Sequence, residues 1–210
     1  GADRTDLPPG PADAHRPRTG RAPPAQRPRT ARPGIVASAT IAPMLPDGRA
    51  LGAHLPLGGG MVKAVDRVAE IGATALQVFA DNPTAWKRRT EPPKEAPAFR
   101  ARLAERSVGP VAIHAAYLVN LAGPDEDFFA KSIAVLAAEL RAAPAFSASF
   151  VNVHIGSHRG SGLEAGVARV AEGLRLVLAE VEATPGSPLV VLENSAGGGF
   201  GIGDDDGDVA

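Results

Sequence analysis

Pro188-Leu-Val-Val-Leu-Glu193 is a short apolar run that ends on a carboxylate, and two earlier runs have the same form. Val111-Ala-Ile-His114 and Phe150-Val-Asn-Val-His154 both end on an imidazole, and the three ends lie about forty residues apart. Runs of this kind are typical of buried parallel strands. Because parallel strands joined by helices have their C-terminal ends on one rim, we expect the three terminal side chains to converge there.

The segments between these runs have the periodicity of helices. The clearest is an amphipathic stripe that predicts a helix over 163–181. Its apolar members, three or four residues apart, are Leu163, Val167, Val170, Leu174, Val177 and Val181. Weaker patterns predict helices near 61–69, 96–106 and 125–141, and two further strands at 51–55 and 75–79.

This alternation of five strands with four helices predicts an α/β fold with a parallel sheet. The sheet is either doubly wound or part of an eight-stranded barrel, and the pattern does not choose between them. The pattern argues against a Rossmann-type nucleotide cofactor site, because no Gly-x-Gly-x-x-Gly follows any of the strands.

Composition restricts the possible functions. The chain has 210 residues, no cysteine and a formal net charge of -1. It therefore has no disulfide or thiolate metal site, and a metal must be held by His, Asp or Glu. The absence of a long apolar run predicts no membrane partner. The absence of a signal-like segment at the start favours a cytoplasmic location.

Composition also changes at both ends of the chain. Residues 1–48 are rich in Pro and Arg and predict a disordered leader. Residues 49–199 carry the strand and helix patterns and form the predicted domain. Residues 200–210, Phe-Gly-Ile-Gly-Asp-Asp-Asp-Gly-Asp-Val-Ala, predict an acidic, solvated tail.

His114, His154 and Glu193 together favour a metal site, although a single His at a strand end is more often structural. Zinc suits two imidazoles and a carboxylate and tolerates an open coordination position. A zinc ion there would acidify a bound water and stabilise a developing oxyanion. The spacing alone does not choose the substrate.

Several short motifs resemble the endonuclease IV family of apurinic/apyrimidinic endonucleases, from about Leu51 to Gly199. The motifs are His114-Ala-Ala-Tyr-Leu-Val-Asn-Leu121, His154-Ile-Gly-Ser-His158, Glu193-Asn-Ser-Ala-Gly-Gly198, Gly52-Ala-His54 and Leu76-Gln-Val-Phe79 with Asn82 and Trp86. The first is the most specific, and the second adds strong support.

The resemblance implies a (β/α)8 TIM barrel of the xylose-isomerase-like type with three zinc ions. It implies hydrolytic cleavage of double-stranded DNA 5′ to abasic sites, in base excision repair. By the same resemblance His114 and His154 hold the first zinc. Glu193 bridges the first and second zinc ions and orients or deprotonates the attacking hydroxide, which makes it the catalytic residue.

The resemblance also implies a set of DNA-binding residues. Tyr117 matches the aromatic side chain that the family inserts into DNA at the lesion, and Asn82 lies in a DNA-contacting loop. His54 and His158 match family histidines that are not metal ligands and are expected to support the site. The basic triplet Lys87-Arg-Arg89 is either a set of phosphate contacts or a solvated turn.

The motifs of the family's remaining zinc ligands do not follow Gly199. We therefore expect an incomplete barrel of about five strands of eight, which holds at most the first zinc and part of the second. Little or no nuclease activity is expected from this chain alone. Two alternatives stay open: a sugar isomerase or epimerase of the xylose-isomerase type with one divalent metal, and a non-catalytic remnant.

Overall fold

The computed structural model describes residues 48–184, 187–194 and 199–203. The predicted disordered leader, apart from residue 48, and the acidic residues of the predicted tail lie outside these ranges. Within the tail, residues 200–203 are described. Ile202 is buried, and Gly201 forms a bridge with Ser157.

The five predicted strands are confirmed and form one parallel sheet. They are β1 (Gly52–His54), β2 (Ala75–Val78), β3 (Val111–His114), β4 (Ala148–His154) and β5 (Leu189–Glu193). Their order in space is the same as their order along the chain. A doubly wound sheet reverses its strand order at a switch point, whereas a barrel adds each strand beside the last. The sequential order therefore selects the barrel, and the described residues form five of its strands.

The four predicted helices are also confirmed. They are α1 (Met61–Glu70), α2 (Ala96–Arg106), α3 (Glu126–Ala142) and α4 (Leu163–Glu180), and a short 3-10 helix at Ala143–Phe146 follows α3. Asp125 caps α3, since its carboxylate accepts a hydrogen bond from the backbone N–H of Phe128 at 2.8 Å. Among the described residues no helix is long and apolar enough to cross a membrane.

The amphipathic stripe that predicts α4 is only partly buried. Leu163 and Val167 are exposed, whereas Gly166 and Gly173 are buried together with Val170 and Val177. The helix approaches its neighbours through these glycines. A Cβ at Gly173 would lie 2.9 Å from Leu121 Cδ2 and 3.1 Å from Phe129 Cε2. A periodic pattern of large apolar residues does not reveal a helix face whose contacts are made through glycine.

The hydrophobic core lies between the helices and one face of the sheet, because side chains alternate between the faces of each strand. The core includes Leu76, Val78, Ile113, Val151 and Val153 from the strands and Val65, Val68, Phe99 and Leu136 from the helices. The opposite, inner face carries polar side chains at the strand ends. The apolar side chains of Leu189 and Val191 lie on this inner face and are exposed, as expected of an incomplete barrel.

Candidate active site

The inner face places the three predicted metal-ligating side chains together at the C-terminal ends of neighbouring strands. His154 of β4 pairs in register with Glu193 of β5, and His114 ends the strand on the other side of β4. One ligand atom from each of the three side chains lies within 4.8 Å of the others. This separation is short enough for one ion to contact all three after small side-chain adjustments.

His114 is held in one orientation by the backbone. Its Nδ1 lies 2.7 Å from the carbonyl oxygen of Ala115, and a carbonyl can only accept, so Nδ1 donates. In the neutral ring Nε2 then carries a lone pair, and this atom faces Glu193 Oε2 at 3.4 Å. Two acceptors that face each other need a cation or a proton between them. The donor set therefore fits a metal ion, and the backbone bond supplies the outer support common to metal-binding histidines.

Glu193 has a second partner that sequence reasoning missed. Asn152 Nδ2 donates a short hydrogen bond to Glu193 Oε2. Asn152 also accepts from the backbone N–H of Ala115 through its own carbonyl oxygen, at 2.7 Å. Since side chains two residues apart on a strand share a face, the position of Asn152 relative to His154 was a usable signal.

A ring cluster extends the site toward β1 and consists of His54, Phe79, His114, Tyr117 and His154. The His54 ring stacks on His114 with centroids 5.6 Å apart, and the Phe79 centroid lies 5.3 Å from that of His114. The centroids of the Phe79 and Tyr117 rings lie 5.0 Å apart. Phe79 was predicted as a strand residue and as part of a family motif, with no role in the site, whereas here its ring contacts those of His54, His114 and Tyr117.

His54 remains partly accessible within this cluster. Gln77 Nε2 lies 3.2 Å from its Nδ1. Partial desolvation lowers the pKa of His54 below its usual value, and His114 lowers it further against the opposing effect of Glu193. His54 is therefore suited to a supporting, neutral role beside the three candidate ligands.

Tyr117 and Asn82 lie on adjacent loops at the rim. The side chain of Tyr117 is 58% exposed, whereas its backbone N–H donates to the carbonyl oxygen of Pro83 at 3.0 Å. Asn82 Oδ1 accepts from the backbone N–H and the hydroxyl of Thr84 at 3.0 and 2.9 Å. The structure thus brings the two predicted DNA-binding loops together and leaves the Tyr117 ring open to solvent.

The interpretation of Lys87-Arg-Arg89 as a solvated or phosphate-binding triplet is wrong for Arg88. The Arg88 side chain is only 9% exposed and pairs with Glu139 of α3 at 3.3 Å. The same Glu139 oxygen accepts from the backbone N–H of Ala116 at 3.2 Å. Burial raises the pKa of Glu139 to about 7, against the opposing effects of Arg88 and the Ala116 N–H. This buried pair connects the Asn82 loop to the base of the Tyr117 loop.

His158 lies outside the ring cluster. Its Nδ1 accepts hydrogen bonds from the backbone N–H groups of Gly160 and Gly162 at 3.2 and 3.1 Å. Its ring packs against Phe200 with centroids 5.2 Å apart. The imidazole therefore shapes the loop before α4 and holds residues 199–203 in place.

Comparison with known proteins agrees with this geometry. The sequence profile of the Xylose isomerase-like TIM barrel family matches residues 65–208. The probable endonuclease 4 of Halothermothrix orenii is 36% identical over 153 residues, which are 73% of this chain and 54% of that protein. The probable endonuclease 4 of Natranaerobius thermophilus is 39% identical, over 73% of this chain and 53% of that protein.

One solved structure extends the comparison to the fold. The crystal structure of endonuclease IV from Thermus thermophilus matches with a TM-score of 0.63 at 37% identity. The match covers 74% of this chain and 55% of that chain. The chain spans about half the length of the curated relatives that it matches.

Proposed function

The chain belongs to the xylose isomerase-like TIM barrel family and, within it, to the endonuclease IV group, and on this premise we propose that its activity is zinc-dependent cleavage of DNA. The phosphodiester cut lies 5′ to an abasic site, and the role is base excision repair. The observation that carries the proposal is the convergence of His114, His154 and Glu193 on one rim beside the exposed ring of Tyr117.

His114, His154 and Glu193 are the residues that would hold zinc. The backbone bond to His114 Nδ1 leaves Nε2 for the ion, and Asn152 fixes the carboxylate of Glu193. When bound, zinc acidifies water, neutralises phosphate charge and stabilises a leaving oxygen. The absence of cysteine agrees with a purely nitrogen and oxygen donor set.

Glu193 is the proposed catalytic residue. Its side chain is 41% exposed, so it reaches solvent from the inner face. Asn152 Nδ2 donates to Oε2, which leaves Oε1 able to accept a proton from an attacking water. A carboxylate held in this way orients the water toward phosphorus and removes its proton as the bond forms.

Tyr117 and Asn82 are the proposed DNA contacts. The Tyr117 ring rests against Phe79 at its base and projects into solvent, so it presents a flat apolar surface at a fixed position. An abasic site lacks one base in the stack, which makes insertion of a side chain and extrusion of the sugar less costly there than in intact duplex. Asn82 lies beside it for contact with the DNA backbone.

The test is single-turnover nicking of a duplex that carries one tetrahydrofuran abasic analogue, with protein in excess because the expected rate is low. We expect zinc-dependent cleavage 5′ to the analogue, a 3′-hydroxyl product, and no cleavage by a Glu193→Gln variant. An intact duplex of the same sequence is the control. Failure of zinc to bind the wild-type chain, together with equal affinity for abasic and intact DNA, would refute the proposal. Metal-dependent isomerisation of a ketose would instead favour the sugar-isomerase alternative.

A further inference from the structure

The side-chain amide of Asn120 joins the loop that follows His114 to the loop that follows His154. Asn120 Nδ2 donates to the carbonyl oxygen of Ser157 at 3.0 Å, and Asn120 Oδ1 accepts from the backbone N–H of Ser157 at 3.0 Å. The amide thus binds both the N–H and the carbonyl group of Ser157, in the way that the backbone of a neighbouring β-strand would. Oδ1 also accepts from the N–H of Ala122 at 3.1 Å, which closes its own loop.

The surrounding chain is fitted to this amide. Gly156 has a φ of 115°, and a Cβ built there would overlap Asn120 Oδ1 and lie 3.2 Å from Ala122 Cβ. A Cβ at Gly123 would lie 2.9 Å from Asn120 Nδ2. Both glycines therefore leave the space that the amide occupies, and Gly156 also has a backbone conformation that other residues rarely adopt.

Asn120 is itself fixed to α3. Its backbone N–H donates to Ser132 Oγ at 3.0 Å, and that hydroxyl donates to the carbonyl oxygen of Phe128 at 2.7 Å. Ser132 is completely buried. Helix α3 thus fixes the backbone of Asn120, and the side-chain amide of Asn120 binds the loop that follows His154.

We propose that Asn120 is a positioning residue that keeps His114 and His154 at the spacing a metal ion requires. This inference rests on the proposed metal site. The two imidazole centroids lie 5.2 Å apart on neighbouring strands, and His154 is exposed, so its ring is less confined by packing than that of the buried His114. Metal ligation tolerates only a few tenths of an ångström of displacement. A direct link between the two loops removes relative motion that would exceed this tolerance.

The experiment compares Asn120→Ala and Asn120→Asp with wild type by two measurements. The first is Co²⁺ titration followed by visible absorption, with Co²⁺ as the probe for zinc. The second is amide hydrogen exchange at Ser157, expressed relative to Val78 in the core strand β2 so that global unfolding cancels. Leu103→Ala is the matched control, because Leu103 is buried in α2 and packs at the opposite end of the sheet.

We expect Asn120→Ala to weaken Co²⁺ binding by about 10- to 100-fold, the range for lost support of a metal ligand. The relative exchange rate at Ser157 should rise at least about tenfold, since its N–H loses its acceptor. Asn120→Asp keeps the Oδ1 acceptor, so the relative exchange rate at Ser157 should rise less than in Asn120→Ala. It places a carboxylate oxygen against the carbonyl oxygen of Ser157, so Co²⁺ binding should still weaken. Leu103→Ala should leave both values at the wild-type level.

Three different results would overturn the inference. Wild-type Co²⁺ affinity and wild-type relative exchange in Asn120→Ala would refute it while leaving the proposed metal site intact. Absence of Co²⁺ binding by the wild-type chain would overturn the metal site and the inference together. The same loss of affinity in Leu103→Ala would show that general destabilisation is the cause, which also refutes the role of Asn120.

Discussion

Replacing Glu139 by glutamine should remove a pH dependence of stability that originates beneath the loops that carry Asn82 and Tyr117. Glu139 is 3% exposed and is held between Arg88 and the backbone N–H of Ala116. Its burial raises its pKa from 4.5 to about 7. Glutamine has nearly the same shape and still accepts the Ala116 N–H bond. It therefore imitates the protonated glutamic acid at every pH.

Proton linkage gives the direction in which the free energy of unfolding changes with pH. With a folded pKa above the unfolded value, the folded protein binds the proton more tightly between pH 4.5 and about 7. The contribution of Glu139 to the free energy of unfolding is therefore highest below pH 4.5 and is lost as pH rises through about 7. Each pKa unit corresponds to about 1.4 kcal/mol, so the full loss is about 3 kcal/mol, of which about 2 to 3 kcal/mol falls between pH 5 and 8.

Urea denaturation at pH 5, 6, 7 and 8, with a chelator present, measures this directly for wild type and Glu139→Gln. The other ionisable groups are common to both proteins, so the difference between the two curves isolates Glu139. We expect the wild type to lose about 2 to 3 kcal/mol more than the variant over this range. Parallel curves would refute the reasoning, because they would mean that the Arg88 pair keeps the carboxylate ionised throughout.

Three further predictions concern the core, the carboxylate and the rim. Phe99→Ala removes a completely buried ring that contacts Phe146. It should lower the free energy of unfolding by about 3 to 5 kcal/mol, measured by urea denaturation. A loss below about 1 kcal/mol would contradict the packing of this ring. Asn152→Ala removes the hydrogen bond to the carboxylate of Glu193. Spectroscopic titration should show Co²⁺ binding that is about 10- to 100-fold weaker. Unchanged affinity would show that this hydrogen bond does not orient the carboxylate. Tyr117→Ala should change stability by less than about 0.5 kcal/mol because the ring is exposed, yet reduce the preference for abasic over intact duplex about tenfold in a fluorescence anisotropy assay. An unaltered preference would exclude insertion of this ring at the lesion.

The sequence predicted the strands and helices well because each element has a local signal. Apolar runs of strand length and helical stripes depend on neighbouring residues only, and their alternation predicts a parallel sheet. The convergence of His114, His154 and Glu193 also followed from sequence, since parallel strands place their C-terminal ends on one rim. The pattern of elements did not choose between a doubly wound sheet and a barrel, because that choice depends on which strand lies beside which. Only the family motifs indicated the barrel, and the strand order confirms it.

The contacts around the candidate site were decided by the tertiary structure. The pairing of Asn120 with Ser157 joins residues that are 37 apart in sequence, and Arg88 and Glu139 are 51 apart. Neither pair has a pattern of its own, since an amide in a loop or a charge on a helix is usually solvated. Whether such a group is buried and bonded depends on the register of distant elements. Local physical chemistry thus determined which residues reach the rim, and only packing between elements decided which side chains hold them in place.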